Sequence, residues 1–248
     1  VADFRDPWTR SAGVPIPEEI LSVHHWLESE VYAAADHVIA NTQFQRADLE
    51  AHYLSTRGKT SCIPNGFREA DFDRPLPAAS ADRKMLGYAG SFYAGYGASP
   101  LHERLRRIQQ TRPRSLEGWS LRFVGRTEAH DDIEDAPIPA ERFGYVPQER
   151  SLELMSECRA LVVFIPEVEH AEGWVPQKLY VYLRLGRPIL AIGKEGEAMD
   201  ILRASGGPHL CLTADVPDDD LADWLEQAAV GPLRRQAERL SSARTELS

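Results

Sequence analysis

Lysine is scarce in this sequence: only Lys59, Lys84, Lys178 and Lys194 stand among 28 basic residues, the rest being arginine. A basic surplus is missing as well. The 248-residue chain sets 38 acidic against 28 basic side chains, for a formal charge of −10, and this balance argues against a nucleic-acid partner, because affinity for a phosphate backbone rests on excess Lys and Arg. It leaves room for one phosphate-bearing small molecule, which a local cluster of N–H groups can hold. Cysteine is equally sparse. Cys62, Cys158 and Cys211 are widely spaced, odd in number and set in apolar runs, so they read as buried thiols of a reducing compartment, not as disulfides or metal ligands. No run approaches the roughly 20 apolar residues of a membrane span, and no signal-peptide pattern opens the chain. The dinucleotide fingerprint is also lacking, since glycines 87, 90, 95 and 97 miss the G-x-G-x-x-G spacing. Val1 opens the sequence and residues 1 to 4 read as the end of a strand, so further sequence upstream is expected.

What is present is a 43% hydrophobic chain of a length that suits one large or two small globular domains. Its most informative stretch is Glu172 to Ile192, EGWVPQKLYVYLRLGRPILAI. Pro176 suits the first position of a helix, where a missing N–H costs nothing. Leu179, Val181, Tyr182 and Leu183 then fall on an apolar side, and Gly186 suits a left-handed cap. Pro188 to Ile192 is a short continuous apolar run, the form of a parallel strand covered on both faces. Lys178 lies in the first helical turn. It is either an ordinary solvated lysine on a crossover or a point charge added to the anion site of a helix N-terminus.

The rest of the chain alternates similarly. Val1 to Thr9 (VADFRDPWT) reads as a strand end and loop, with Asp3, Arg5 and Asp6 at the edge where α/β proteins contact ligands. Apolar residues recur at helical spacing over Glu18 to Ala35. His24 and His25 within it point in different directions, so they read as surface or packed histidines and not as a metal pair. His37 to Ala40 is a strand. Thr42 caps the next helix, with Gln45 completing a capping box. Lys59 to Phe67 is a strand ending in a Pro-Asn-Gly turn. Residues 68 to 84 read as a linker, whose Asp71 and Asp73 lie in a Pro-bounded stretch and not at the end of a buried strand, where a metal-chelating pair belongs.

A second series follows: strand Met85 to Gly90 opening into the small-residue loop Ser91 to Gly97, helix Pro100 to Gln110, strands Ser120 to Gly125 and Phe143 to Val146, helix Pro147 to Glu157 and strand Ala160 to Ile165. Beyond the central stretch come helix Glu197 to Arg203, strand His209 to Leu212, and helices Pro217 to Ala229 and Gly231 to Ala243. Asp218, Asp219 and Asp220 suit a helix N-terminus, not a metal. Strands alternating with helices and no hairpin signals imply an α/β protein with parallel sheets. Residues 85 to 230 suffice for a Rossmann-like domain, and residues 1 to 67 do not.

In order, VADFRDPW, EVYAAADHVIANT, CIPNGF, LGYAGSFY and PQKLYVYLRLGRPILA resemble the GT-B type glycosyltransferases, specifically retaining glycosyltransferase family 4. The resemblance implies two Rossmann-like domains: residues 1–67 as the second half of an incomplete N-terminal acceptor domain, 68–84 as linker, and 85–248 as the nucleotide-sugar donor domain with the start of a returning C-terminal helix. It implies metal-independent transfer of a sugar from a nucleotide diphosphate to a glycan or lipid-linked acceptor, with no cofactor, in the cytoplasm. Any peripheral membrane contact would come through the upstream part, and the fragment alone is expected to be inactive. By resemblance, Gly90, Ser91, Phe92 and Tyr93 face the diphosphate, Tyr145 and Val146 hold the base, and Gly173, Trp174, Val175 and Lys178 contact sugar and phosphates. Asp3, Arg5, Asp6 and Thr42 line the acceptor side. No catalytic residue is assigned. Relatives carry two Glu residues separated by seven, the second holding the ribose; here those positions are Gly173 and Val181. A non-catalytic relative that binds nucleotide, or a nucleotide-sugar epimerase of the same architecture, therefore stands as the alternative.

Overall fold

The computed structural model of the chain describes residues 1–11, 16–79, 83–92, 97–126 and 135–230. Its contacts divide it into two compact units: Val1–Gly66 with Pro166–Pro176 and Lys194–Asp200, and Phe67–Ile165 with Gln177–Gly193 and Ile201–Ser248. The chain is α/β throughout, and every strand pairing is parallel.

In the first unit β1 (Ala2–Phe4), β2 (Val38–Ala40) and β3 (Thr60–Cys62) form a three-stranded sheet in the order β1-β2-β3. Helix α1 (Glu18–Ala34) joins β1 to β2, and α2 (Gln43–His52) leads toward β3. Tyr32, Val38, Ala40 and Leu49 are buried together, with Phe4 and Tyr53 packed against them. Strand β3 is shorter than the expected Lys59 to Phe67, because Pro64 cannot donate to a ladder, and the expected Pro-Asn-Gly turn does not form: residues 63–68 take no regular structure.

The second unit contains β4 (Lys84–Ala89), α3 (Ser99–Thr111), β5 (Trp119–Val124), β6 (Ala140–Phe143), α4 (Gln148–Ser156), β7 (Ala160–Ile165), α5 (Gln177–Leu185), β8 (Ile189–Gly193), β9 (His209–Leu212) and α7 (Asp218–Val230). Helix α6 (Glu197–Ser205) lies between β8 and β9 in the chain. The strand order is β6-β5-β4-β7-β8-β9, the doubly wound Rossmann order, with its reversal between β4 and β7. Alternate residues of each strand go to opposite faces. Leu86, Tyr88, Leu121, Phe123, Val162, Phe164, Leu190 and Ile192 join Leu101, Leu105 and Ile108 of α3 and Leu221, Trp224 and Leu225 of α7 in one core. On the other face α4 packs on β4 and α5 on β7. All residues of β7 and β8 are buried, as their unbroken apolar runs required.

Three boundaries differ from expectation. Helix α5 starts at Gln177, one residue after Pro176. Strand β6 is Ala140–Phe143, not Phe143 to Val146; as an edge strand with alternating exposure it keeps polar Glu141 and Arg142, so no apolar run marked it. In the stretch expected to be a linker, Glu69–Phe72 forms a short 3₁₀ helix, held by Glu69 against Arg184 and by the Arg184 guanidinium 4.7 Å from the Phe72 ring. The expected helix over 231–243 and the returning C-terminal segment lie outside the described residues.

Arg122 of β5 is the buried cation of the α4 face, 3% exposed. Its guanidinium donates to Glu141 at 2.9 Å, to Glu157 at 2.7 Å and to the Leu154 carbonyl at 2.9 Å, and these carboxylates hold its pKa above the ordinary value despite burial. Arg122→Ala should therefore cost roughly 3 kcal/mol, the low end for breaking a buried ion pair because both carboxylates keep partial access to water. Urea denaturation of the variant checks this, and a loss below about 1 kcal/mol would place the network with ordinary surface pairs.

Candidate functional site

In an open parallel sheet the carboxyl ends of the strands present free N–H groups, and the strand-order reversal opens a crevice there. In the second unit that edge lies at the ends of β4, β5 and β7. Two glycines define it. Gly90 follows β4 at φ +150°, and Gly125 follows β5 at φ +137°. A Cβ on Gly125 would stand 2.1 Å from the Gly90 carbonyl oxygen, so the two backbones meet with no side chain between them. The Gly90 N–H donates to the Val124 carbonyl at 2.8 Å, and Phe92 N–H to Arg126 carbonyl at 3.2 Å.

Lys178, in the first turn of α5, lies across this floor. Its ammonium donates to the Tyr88 hydroxyl at 2.7 Å, and the Tyr88 hydroxyl donates to the Ser91 carbonyl at 3.3 Å. A Cβ on Gly90 would fall 2.1 Å from Lys178 Nζ, so the glycine is what admits the lysine. Desolvation alone moves the ammonium pKa down, to about 7, and no carboxylate among the described residues offsets it. Besides the hydroxyl contact, Lys178 Nζ lies 3.9 Å from the centroid of the Tyr88 ring. Tyr182, one turn along α5, accepts the Ala89 N–H at 2.8 Å, which ties the helix to the same strand end.

The remaining expected residues separate into distinct roles. Phe92 is buried and stacked on Tyr88 with centroids 4.5 Å apart, so its ring belongs to the core and only its backbone lies on the floor. Tyr93 lies outside the described residues. Tyr145 is 75% exposed in the loop after β6, and Arg126 places its guanidinium 5.3 Å from that ring. Val146 follows in the same loop, and Val181 is half-buried on α5. Arg126 went unnoticed in the sequence; its position just after Gly125, at a strand's carboxyl end, is the signal that could have found it.

In the first unit, Thr42 is buried and its hydroxyl accepts the Gln45 N–H at 3.0 Å, while Gln45 reaches back to the Asn41 N–H at 2.8 Å. The other two N–H groups of that helix start are taken by Glu197, which accepts from Gln43 at 2.9 Å and from Phe44 at 2.7 Å. No local pattern announces Glu197, which is 154 residues away. Gly173 lies against the Phe44 ring, where a Cβ would stand at 2.7 Å. Trp174 and Val175 follow it toward Pro176, Trp174 N–H donating to Ala171 carbonyl at 2.9 Å, and Val175 is buried. Glu172 pairs with Lys194 at 2.8 Å. At the end of β1, Arg5 donates to Asn65 at 3.2 Å and lies 4.0 Å from Asp3, and Asp6 is exposed. Among the described residues no cluster of three metal-ligating side chains occurs, and no helix is long and apolar enough to cross a membrane. Cys158 is buried, Cys62 and Cys211 are half-buried, and none of the three forms a disulfide.

This architecture defines the class: two α/β units, one of them a complete Rossmann-type sheet with a glycine floor and a lysine at its carboxyl edge. The fold is that of the GT-B glycosyltransferases. It is similar to HepE of Anabaena, solved with UDP and glucose, at TM-score 0.66 and 16% identity over 92% of this chain and 65% of that one. An S. aureus TarM variant, solved with fondaparinux, α-GlcNAc-glycerol and UDP, aligns at TM-score 0.62 and 16% identity over 91% of this chain and 43% of that one. A UDP-forming α,α-trehalose-phosphate synthase from Burkholderia vietnamiensis aligns at 0.64 and 13% identity over 99% and 64%. The chain thus spans less than two thirds of these structures. No protein-family profile and no curated protein sequence matches it.

Two outcomes follow for this floor. Between pH 7 and the ordinary lysine value the folded chain releases the Lys178 proton while the unfolded chain keeps it, so stability should rise with pH through that window. Thermal melts of the unsubstituted chain and Lys178→Met should converge in slope below pH 7 and diverge above it; parallel curves throughout would show that Lys178 is solvated. Gly125→Ala should destabilise by about 2 kcal/mol or more, and by more than Gly90→Ala, because it meets a fixed carbonyl while Gly90→Ala meets a movable ammonium.

Proposed function

We propose that this chain forms the donor half and part of the acceptor half of a glycosyltransferase that moves a sugar from a nucleotide diphosphate to a glycan or lipid-linked acceptor. In this reading residues 1–67 belong to the acceptor domain, 68–84 link the two, and 85–248 hold the donor. The single observation that carries it is Lys178, a desolvated ammonium with no carboxylate partner, laid over a glycine floor at the carboxyl edge of a Rossmann sheet. Such a group gains most from an anion. A diphosphate beside Nζ restores the lost charge, and Gly90 and Ser91 place no bulky side chain between it and the strand end. The solved relatives of this fold that carry UDP support a nucleotide as the source of that diphosphate.

The base is assigned to the loop of Tyr145 and Val146, where the exposed Tyr145 ring and Arg126 offer a stacking surface. Gly173, Trp174 and Val175 are assigned to the sugar. Asp3, Arg5 and Asp6 are assigned to the acceptor side, with Thr42 acting through the helix start it caps. In this reading, phosphate charge leaving with the nucleotide is stabilised by Lys178 and fixed N–H dipoles without a metal, and the reaction belongs to the cytoplasm.

Lys178→Ala should weaken binding of a nucleoside diphosphate about tenfold to a hundredfold, the scale of a charge-assisted contact, and leave nucleoside binding little changed. Isothermal titration with UDP and uridine measures both; equal losses would make Lys178 structural. Val181 favours a second reading, a relative that binds nucleotide without transferring sugar, because valine cannot accept from ribose hydroxyls. If the ribose lies beside Val181, Val181→Glu should tighten UDP binding by about 1 to 3 kcal/mol. If Val181 is packing, the same change should lower the melting temperature with no gain in binding.

A further inference from the structure

Helix α1 buries a carboxylate that nothing above uses. Glu28 is 1% exposed, and among the described residues no cation pairs with it. Hydroxyl groups satisfy it instead: Tyr32 donates to Oε1 at 2.9 Å, and Tyr53 to Oε2 at 2.6 Å, where Thr9 also donates. Burial raises the pKa of both phenols, that of Tyr53 to about 12, so each remains a donor at neutral pH. His25 approaches the same hydroxyls, its Nδ1 3.0 Å from Thr9 and 3.2 Å from Tyr53. With both hydroxyl protons directed at Glu28, His25 Nδ1 is left as the donor.

Removing a carboxylate from water costs several kcal/mol, and an apolar side chain at position 28 would serve packing better. The expense is spent on one segment. After β1 the chain is pinned at three consecutive residues: Trp8 donates to His24 at 3.0 Å, Thr9 to Glu28, and Arg10 grips Asp48 through two bonds of 2.6 and 2.9 Å. The exposed charges Arg5 and Asp6 precede these pins, separated from Trp8 by Pro7 alone.

We infer that Glu28 is a positioning residue, which acts through Thr9 and Tyr53 to hold Arg5 and Asp6 in place for the acceptor; this rests on the reading of that edge as the acceptor side. The first measurement is amide hydrogen exchange in the full chain. Thr9→Val and Glu28→Gln should raise exchange over residues 5–11 about tenfold or more relative to β2, and Thr9→Ser should restore protection. The second is steady-state kinetics with the chain in its active context, where Thr9→Val should raise the acceptor KM about tenfold with the donor KM unchanged. Unchanged exchange in folded Thr9→Val overturns the inference, whatever the activity, and so does failure of Thr9→Ser to restore it. If Glu28→Gln does not fold, the two Thr9 variants decide. Raised exchange in a chain that transfers no sugar would leave Glu28 as the pin of this segment and overturn only its service to an acceptor.

Discussion

The meeting of two backbones, Gly90 against Gly125, is the constraint on which the second unit's edge depends. Adjacent parallel strands ordinarily carry side chains past their last ladder bond, and those side chains would fill the crevice. Here a Cβ at Gly125 would enter the Gly90 carbonyl, and one at Gly90 would enter the Lys178 ammonium. Both positions also take φ values that other residues rarely adopt. Removing two side chains thus does two things together: it closes β4 on β5, and it makes room for Lys178 to fold inward.

Among the described residues, Glu28 and Lys178 are two ionisable groups held away from water without a partner of opposite charge, and they are handled differently. Glu28 is given three hydroxyl donors and is satisfied. Lys178 has one neutral phenol, and burial takes its pKa to about 7. A satisfied buried charge fixes local geometry, whereas an unsatisfied one stores free energy that a ligand of opposite charge releases. That difference is why Glu28 is read as a positioning group and Lys178 as a binding group. The start of α2 completes the comparison, because its anion is already supplied by Glu197 and no external one is needed.

Much of the fold was legible because its signals are local. The Thr42 and Gln45 pair capped α2, Gly186 took the left-handed conformation at φ 67°, and the apolar runs of β7 and β8 were buried along their whole length. Edge elements were harder. Strand β6 has two charged residues at its middle and alternates only in exposure at the sheet margin, and its pairing with Leu121 to Val124 sets its bounds. The candidate site was legible as a set of segments, each a strand end or helix start, and not as side-chain roles. Phe92 looked like part of a ligand loop and is core; Arg126 looked like nothing and faces Tyr145.

By itself the sequence determined the alternation of strand and helix, the parallel class of sheet, and the caps that begin and end helices, since each follows from neighbours within about one or two turns. Tertiary structure alone decided the strand order with its reversal between β4 and β7, the loss of water around Lys178, and the partners of Glu28 and Glu197. The reason is separation along the chain. Lys178 meets Tyr88 across 90 residues and Glu197 meets Gln43 across 154, and no local periodicity encodes which distant polar group will complete a site.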